Sequence, residues 1–360
     1  QALRTLDLVR VTAAGLLIAS DDLSRALPDR PVEWSRECLA AGTRALAEVV
    51  ARASTTVIAR LGMEFSSAWH INGYAGVPGL AMPLLEKAGG GRPTTVDYVK
   101  HVHAQGGFAV YNHPFGVEDP ESGTDSVDAQ RQRVRAKAQD LIAGRVYGAD
   151  GIELGYYMRG RVDLANHLYL GELLVGNGIF ATWTGVSDNH IGMPQSWVKD
   201  GRNNFVTQLW AAGLDEDDHL QAMNYGLATV TLLGKFAGQI WLSLDGAAMG
   251  RATVRPGVRT RQLGIGITDL PSGGSVEVLQ GRISYASTVV EPNCAVVATL
   301  GASQLVGGTA ELVLPVTGSC FFYLRVRDGA GAIVGFTNPV MHLASTPPSR
   351  GPVSDRRILV

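Results

Sequence analysis

The sequence is poor in the features that most often decide function at sight. It holds 3 cysteines in 360 residues, Cys38, Cys294 and Cys320. None forms a CxxC pair, which argues against a zinc ribbon, and three thiols cannot build a disulfide scaffold. Cys294 and Cys320 are close enough in sequence to pair, but two buried free thiols are the commoner case. No apolar run reaches the ~18 residues of a membrane span, so no membrane insertion is expected. Net charge is scarce too. The 31 basic and 33 acidic side chains leave −2, a field too weak to favour nucleic acid or an anionic membrane surface. There is no P-loop, no GxGxxG behind a first strand, no GxSxG elbow and no cysteine in a nucleophile context. Hydrolysis by metal-bound water is the chemistry that remains.

Apolar residues, by contrast, make up 46% of the chain against 18% charged, enough to bury a real core. Gly numbers 44, well above the usual ~7%, which implies many turns and close backbone approaches. The length fits two domains, or a large one with a small one.

Over residues 1–246 helical patterns alternate with short apolar strands. Segments 15–20, 55–61, 107–111, 151–154 and 180–185 read as strands. Segments 3–15, 34–53, 95–104 (capped by Thr94 or Thr95), 127–143 and 162–177 read as helices. Strand then helix, repeated, predicts parallel βαβ units and an α/β barrel. The texture changes near Gly246. Short alternating runs at 262–266, 275–279, 295–300, 310–316, 321–327 and 332–336, separated by Gly, Pro, Asp and Ser, predict a smaller antiparallel β-sandwich over 247–345. The proline-rich stretch 346–360 reads as an exposed tail.

Polar residues track the strand ends. Asp21, Glu64, His113, Glu153, Asp188 and His190 each fall at the C-terminal end of a predicted strand, and in a parallel barrel those ends share one face, where active sites are built. Glu64 and His70 can reach one metal ion across a turn; a capping Glu and a surface His are the plain alternative. Pro114 stops its strand and fixes His113 at the mouth, unless the ring simply packs beside Phe115. Asp188 and His190, two apart on an extended strand end, point the same way. That suits a carboxylate bridging two metals and an imidazole terminating one, against an Asx turn with a bystander His. Glu153 is either a ligand or, more in keeping with its place, a carboxylate that holds a ligand His in position. Asp21 and Asp22 either contact metal or cap the following helix. His101 and His103 mimic a metal-binding HxH, yet on a helix they point about 200° apart. Arg159 and Arg161 near the mouth suit either an anion or surface ion pairs, with the surface role favoured.

Taken in order, Gly62-Met63-Glu64, Trp69-His70, Asn112-His113-Pro114 and Ser187-Asp188-Asn189-His190 resemble the PHP superfamily, the polymerase-and-histidinol-phosphatase type of metallohydrolase. The run ending Val110-Tyr111-Asn112-His113-Pro114 and the trailing β-domain look most like its carbaryl-hydrolase-like CehA/McbA branch. The resemblance covers roughly residues 5–245 and more loosely the sandwich. It implies a distorted (β/α)7 barrel holding two or three divalent metals, Zn in the first place and otherwise Mn or Fe. Its ligands map onto Glu64, His70, His113, Asp188 and His190, with Asp21 and Asp22 beside them; Asp188 and Glu64 would be the bridging carboxylates. The catalytic assignment it implies is Asp188, His190 and Glu64, acting on a small-molecule phosphoester or a carboxylic ester, carbamate or amide. Two departures matter. The family's opening His-x-His strand has no match here and is expected upstream of Gln1. Its Thr-Asp-His becomes Ser20-Asp21-Asp22, which changes the charge and hardness of that position. The competing expectation is therefore a catalytically decayed barrel acting as a binding or structural protein. Localisation and oligomeric state are not legible.

Overall fold

The computed structural model describes residues 62–65, 69–74, 94–116, 123–186, 188, 205–286 and 288–359. The predicted segments 3–15, 15–20, 34–53 and 55–61 lie outside them, as do Asp21, Asp22, Cys38 and His190. The described residues form a mixed α/β fold with a curled half-barrel sheet.

The first sheet has the order β1-β2-β3-β4-β7. Its strands are β1 (Gly62–Phe65), β2 (Ile71–Tyr74), β3 (Phe108–Tyr111), β4 (Gly151–Gly155) and β7 (Thr182–Gly185). Between β4 and β7 runs a small hairpin of β5 (Met158–Arg159) and β6 (Val162–Asp163). β3, β4 and β7 are parallel, as the βαβ pattern predicts. β2 runs antiparallel to both β1 and β3, which the pattern does not predict. β2 reads Ile-Asn-Gly-Tyr, and Asn and Gly are poor strand formers. Its glycine is there for packing. A Cβ at Gly73 would lie 2.7 Å from the Tyr98 hydroxyl and 2.8 Å from Val102 Cγ2, so the next helix rests directly on the strand.

That helix, α1 (Thr95–Ala104), starts in a capping box. Asp97 N donates to Thr94 Oγ1 at 3.2 Å and Thr94 N donates back to Asp97 Oδ2 at 2.9 Å, so two otherwise orphaned donors are satisfied together. α2 (Val127–Ala143) is capped by Ser126 and α3 (Leu164–Gly176) by Asp163. α3 is buried almost all round, as befits a helix held between β4 on one side and the later sheets on the other.

The rest is mostly strands: β8 (Phe205–Leu209), α4 (Glu216–Tyr225), β9 (Ala228–Leu232), β10 (Ile240–Leu244), β11 (Ala247–Ala248), β12 (Ala252–Val254), β13 (Thr260–Ile267), β14 (Ser275–Arg282), β15 (Ala295–Gly301), β16 (Thr309–Pro315), β17 (Cys320–Arg327), β18 (Ile333–Thr337), β19 (Val340–Leu343), α5 (Pro352–Asp355) and β20 (Ile358–Leu359). One sheet has the order β11-β10-β13-β16; the other runs β20-β12-β19-β17-β18-β9-β8, with β14 and β15 alongside β17. Pairing is antiparallel as expected, except that β12 runs parallel to β19 and β20. Cys294 and Cys320 are free thiols, the second of them buried.

Two observations bear on the boundaries read from composition. The division placed at residue 246 is crossed by backbone hydrogen bonding, since β9 pairs with β18, and one apolar core runs through both halves. The stretch 346–360 is exposed at Thr346, Pro348, Ser349, Pro352 and Leu359 but is tied down between them. β20 pairs with β12, and Ser354 and Arg357 are buried. Composition registers local chain preference and carries no information about such distant partners.

The free edge of β7 is completed by side chains rather than by another strand. Asn338 Oδ1 accepts from Trp183 N at 2.8 Å, and Asn338 Nδ2 donates to Trp183 O at 3.0 Å and to Ala228 O at 2.9 Å. One strand position further, Thr207 Oγ1 bonds both Gly185 N and Gly185 O at 2.9 Å. These contacts join the first sheet to the second, where the half-barrel curls.

Candidate functional site

The C-terminal ends of β3, β4 and β7 lie side by side, so the residues that follow or end them are brought together by topology alone. β2 runs against β3 with Ile71 opposite Tyr111. His70, just before β2, therefore sits beside the residues just after β3, and Asn112 N donates to His70 O at 2.9 Å. The two rings meet: His70 Nδ1 and His113 Nε2 are 3.0 Å apart, the rings edge to face with centroids 4.6 Å apart. Glu64 lies on the same edge at the level of the backbone, paired with Asn72, one position in from the end of β1.

His113 and Asp188 both have positive φ, 23° and 47°. Non-glycine residues are uncommon there, and held strain of this kind concentrates at functional sites. Glu153 holds the first of them. Its Oε2 accepts the His113 backbone N–H at 2.8 Å and also the Tyr156 hydroxyl. The carboxylate expected to support a ligand His thus supports His113, through the backbone, while His113 Nε2 faces His70. Glu153 is 2% exposed. Burial raises its pKa to about 7, against the pull of His113 and of the two hydrogen bonds, with the Asp188 charge adding to the rise.

Asp188 is engaged by Arg159, whose Nη2 donates to its Oδ2. The surface role expected for Arg159 is incorrect: it is 6% exposed and turned inward. It is fixed by the β5–β6 hairpin, whose Gly160 has φ 57° and packs so closely that a Cβ would lie 2.2 Å from the Phe115 carbonyl oxygen. Arg161 does make the surface pair expected of it, with Asp125 at 2.6 Å. His103 pairs with Asp150 at 2.7 Å, at the start of β4 and hence at the opposite end of the sheet. Trp183 on β7 is buried in the core against Tyr323.

Among the described residues no three His, Cys, Asp or Glu side chains gather around one point. His70 and His113 are in contact, Glu153 touches His113, and Asp188 is close enough to act on the Glu153 charge. His190, Asp21 and Asp22 lie outside the described residues. The donor types present, imidazole nitrogen and carboxylate oxygen, are those that Zn, Mn or Fe accept.

Tyr156 and His167 join the residues at this end of the sheet. Tyr156 closes the Glu153 hydrogen bonding. His167 on α3 is fully buried, 5.0 Å from the Phe115 ring and 5.6 Å from the Tyr156 ring. No motif marks either one; only their place beside the loop that carries His113 does.

No family model matches the chain, and no curated protein does. Among solved structures, the PmoD soluble domain of a Methylocystis species is similar over 29% of this chain and 90% of its own, at 11% identity and a TM-score of 0.21. A likeness that slight assigns neither fold nor function.

Proposed function

We propose that this protein is a metal-dependent hydrolase with a distorted (β/α)7 barrel of the PHP type, using activated water on a phosphoester or on a carboxylic ester, carbamate or amide. The observation that carries the proposal is the meeting of His70 Nδ1 and His113 Nε2 at 3.0 Å on the sheet edge where β4 carries Glu153 and β7 leads to Asp188. Those two imidazoles, with Asp188, would hold a divalent ion; Glu64, His190, Asp21 and Asp22 are the further ligands that the family resemblance implies. Such an ion supplies Lewis acidity and lowers the pKa of water. The chain's own contribution is placement. Glu153, itself held by Tyr156, fixes the His113 backbone in its strained conformation and so sets where the ring begins.

One observation favours a second proposal, a decayed barrel that binds or scaffolds without metal: Asp188 already carries a cationic partner in Arg159. Metal analysis of the purified protein, with a panel of nitrophenyl phosphate, phosphodiester, acetate and carbamate substrates, separates the two. The hydrolase proposal expects stoichiometric Zn, Mn or Fe and turnover of one ester class, reduced at least about 100-fold by His113→Ala. A metal-free, inactive wild type would leave the decayed barrel.

A further inference from the structure

Asp188 is the carboxylate on which the metal-centre proposal leans most, and its Oδ2 accepts from Arg159 Nη2. The pair is largely shielded, with 7% of the Arg159 side chain and 14% of the Asp188 side chain exposed. Both partners are held by the backbone. Asp188 sits at φ 47°, and Arg159 precedes the Gly160 turn that packs on the loop following His113. Neither is a long side chain sampling solvent. We propose that Arg159 is a built-in competitor for the metal ion at Asp188, so that loading the site requires the guanidinium to give up that oxygen. This rests on the metal-dependent reading above and goes beyond it, because it assigns Arg159 control over how tightly the ion is held.

The physical ground is charge. A carboxylate carries one negative charge, and a guanidinium together with a divalent ion at the same oxygen would place three positive charges around it. In a shielded site their mutual repulsion is only weakly screened. Separating a shielded ion pair also has a cost, since each charge loses its partner. Metal binding to the wild type must overcome both effects. Removing the guanidinium removes both, and takes from the shielded Asp188 carboxylate the cation that competes for its Oδ2. Arg159 is then a positioning residue for the carboxylate and does not itself touch the ion.

The test is calorimetric titration of the chelator-treated protein with MnCl2, on wild type, Arg159→Met, Arg159→Lys and Asp188→Asn. Arg159→Met is expected to bind Mn2+ at least about tenfold more tightly than wild type. Arg159→Lys should fall between the two, because an ammonium restores the charge but not the planar fork. The gain should vanish when Asp188→Asn is combined with Arg159→Met. Metal uptake by Arg159→Met alone, with none by wild type, would support the competition at Asp188 while overturning the hydrolase proposal for the wild type. Equal Mn2+ affinity in wild type and Arg159→Met would overturn the inference and leave the hydrolase proposal intact. No Mn2+ bound by any of them would overturn both. Arg159→Gln keeps a hydrogen-bond donor without the charge, and is the variant to read if circular dichroism shows that Arg159→Met does not fold.

Discussion

His167 has two ring nitrogens with different fates. Nδ1 lies 3.0 Å from the Asp163 carbonyl oxygen and donates to it, while Nε2 is buried with no hydrogen-bond partner. Protonation would place a second N–H where nothing accepts it, and burial lowers the pKa to about 4. A depressed histidine pKa means stability that is present above the ordinary value near 6.5 and lost as pH falls toward 4, on the order of 3 kcal/mol here. Glu153 works in the opposite sense, since its raised pKa favours the folded state at low pH, so the useful quantity is a difference between variants. Urea denaturation at pH 7 and pH 4.5 should show His167→Met losing less stability on acidification than wild type; an identical loss would remove His167 from the account. Asn338 gives a second prediction at this scale. It is fully buried and satisfies both backbone groups of Trp183, so Asn338→Leu orphans a buried donor and acceptor and should cost about 3 kcal/mol, read as a lower urea midpoint with unchanged slope. Of the site itself, His113, Glu153 and Asp188 were legible as polar residues at strand ends, and His70 as an imidazole across a turn from Glu64. Arg159 was not, because an arginine reads as surface until its partner, 29 residues away, is placed.

Elements are legible where their signal is local. The helices at Thr95–Ala104 and Val127–Ala143 have the predicted bounds, and α3 and the parallel strands lie within about two residues of theirs, because a cap and a 3.6-residue period are both written in adjacent positions. β2 escaped since its identity depends on β1 and β3 as partners and on α1 packing against Gly73. Glycine at strand ends belongs to the same class of non-local information. A Cβ on Gly185 would lie 2.2 Å from Val230 Cγ1 and 3.0 Å from Phe205 Cβ, and one on Gly155 would lie 2.6 Å from Gly185 Cα. β4, β7 and the β8–β9 pair approach this closely only because those side chains are missing. Gly185→Ala should therefore force β7 away from β9 and cost at least about 2 kcal/mol, and it should also disturb Asp188, three residues on. Gly318→Ala, where an added Cβ meets nothing within 4 Å, is the control and should leave the melting temperature within a degree or two. Equal behaviour of the two variants would mean that β7 and β9 are less tightly apposed than the backbone indicates.

At the scale of the whole molecule, the last ten residues close the end of the sheet opposite the candidate site. Phe180 N donates to Ser354 Oγ at 3.0 Å, Arg356 pairs with Asp150 at the start of β4, and Arg357 donates to Thr182 at the start of β7. β20 then adds a parallel strand beside β12. Partners 174 to 206 residues apart in the chain are joined in this way, which is why a local reading of prolines and serines took the segment for a tail. Asp150 also accepts from Ala109 N at 2.8 Å and pairs with His103 at 2.7 Å, so Arg356 completes a buried junction between α1, β3 and β4. Arg357 is buried among backbone, with its pKa lowered to about 9 by burial first and by the Arg356 charge second. Ending the chain at Arg350 would leave the Asp150 carboxylate short of a counter-charge, and would strip the start of β7 of two partners. Leaving a fully buried carboxylate without its half-exposed arginine is destabilising, so thermal unfolding followed by circular dichroism should show a fall of roughly 10 °C. Arg357→Met separates the causes. It keeps the packing and removes the buried cation, and since replacing a buried charge by an apolar side chain is often neutral, it should fall far less than the truncation does. A truncated chain that melts with the wild type would mean that the junction holds without Arg356 and that the segment is the loose extension its composition describes.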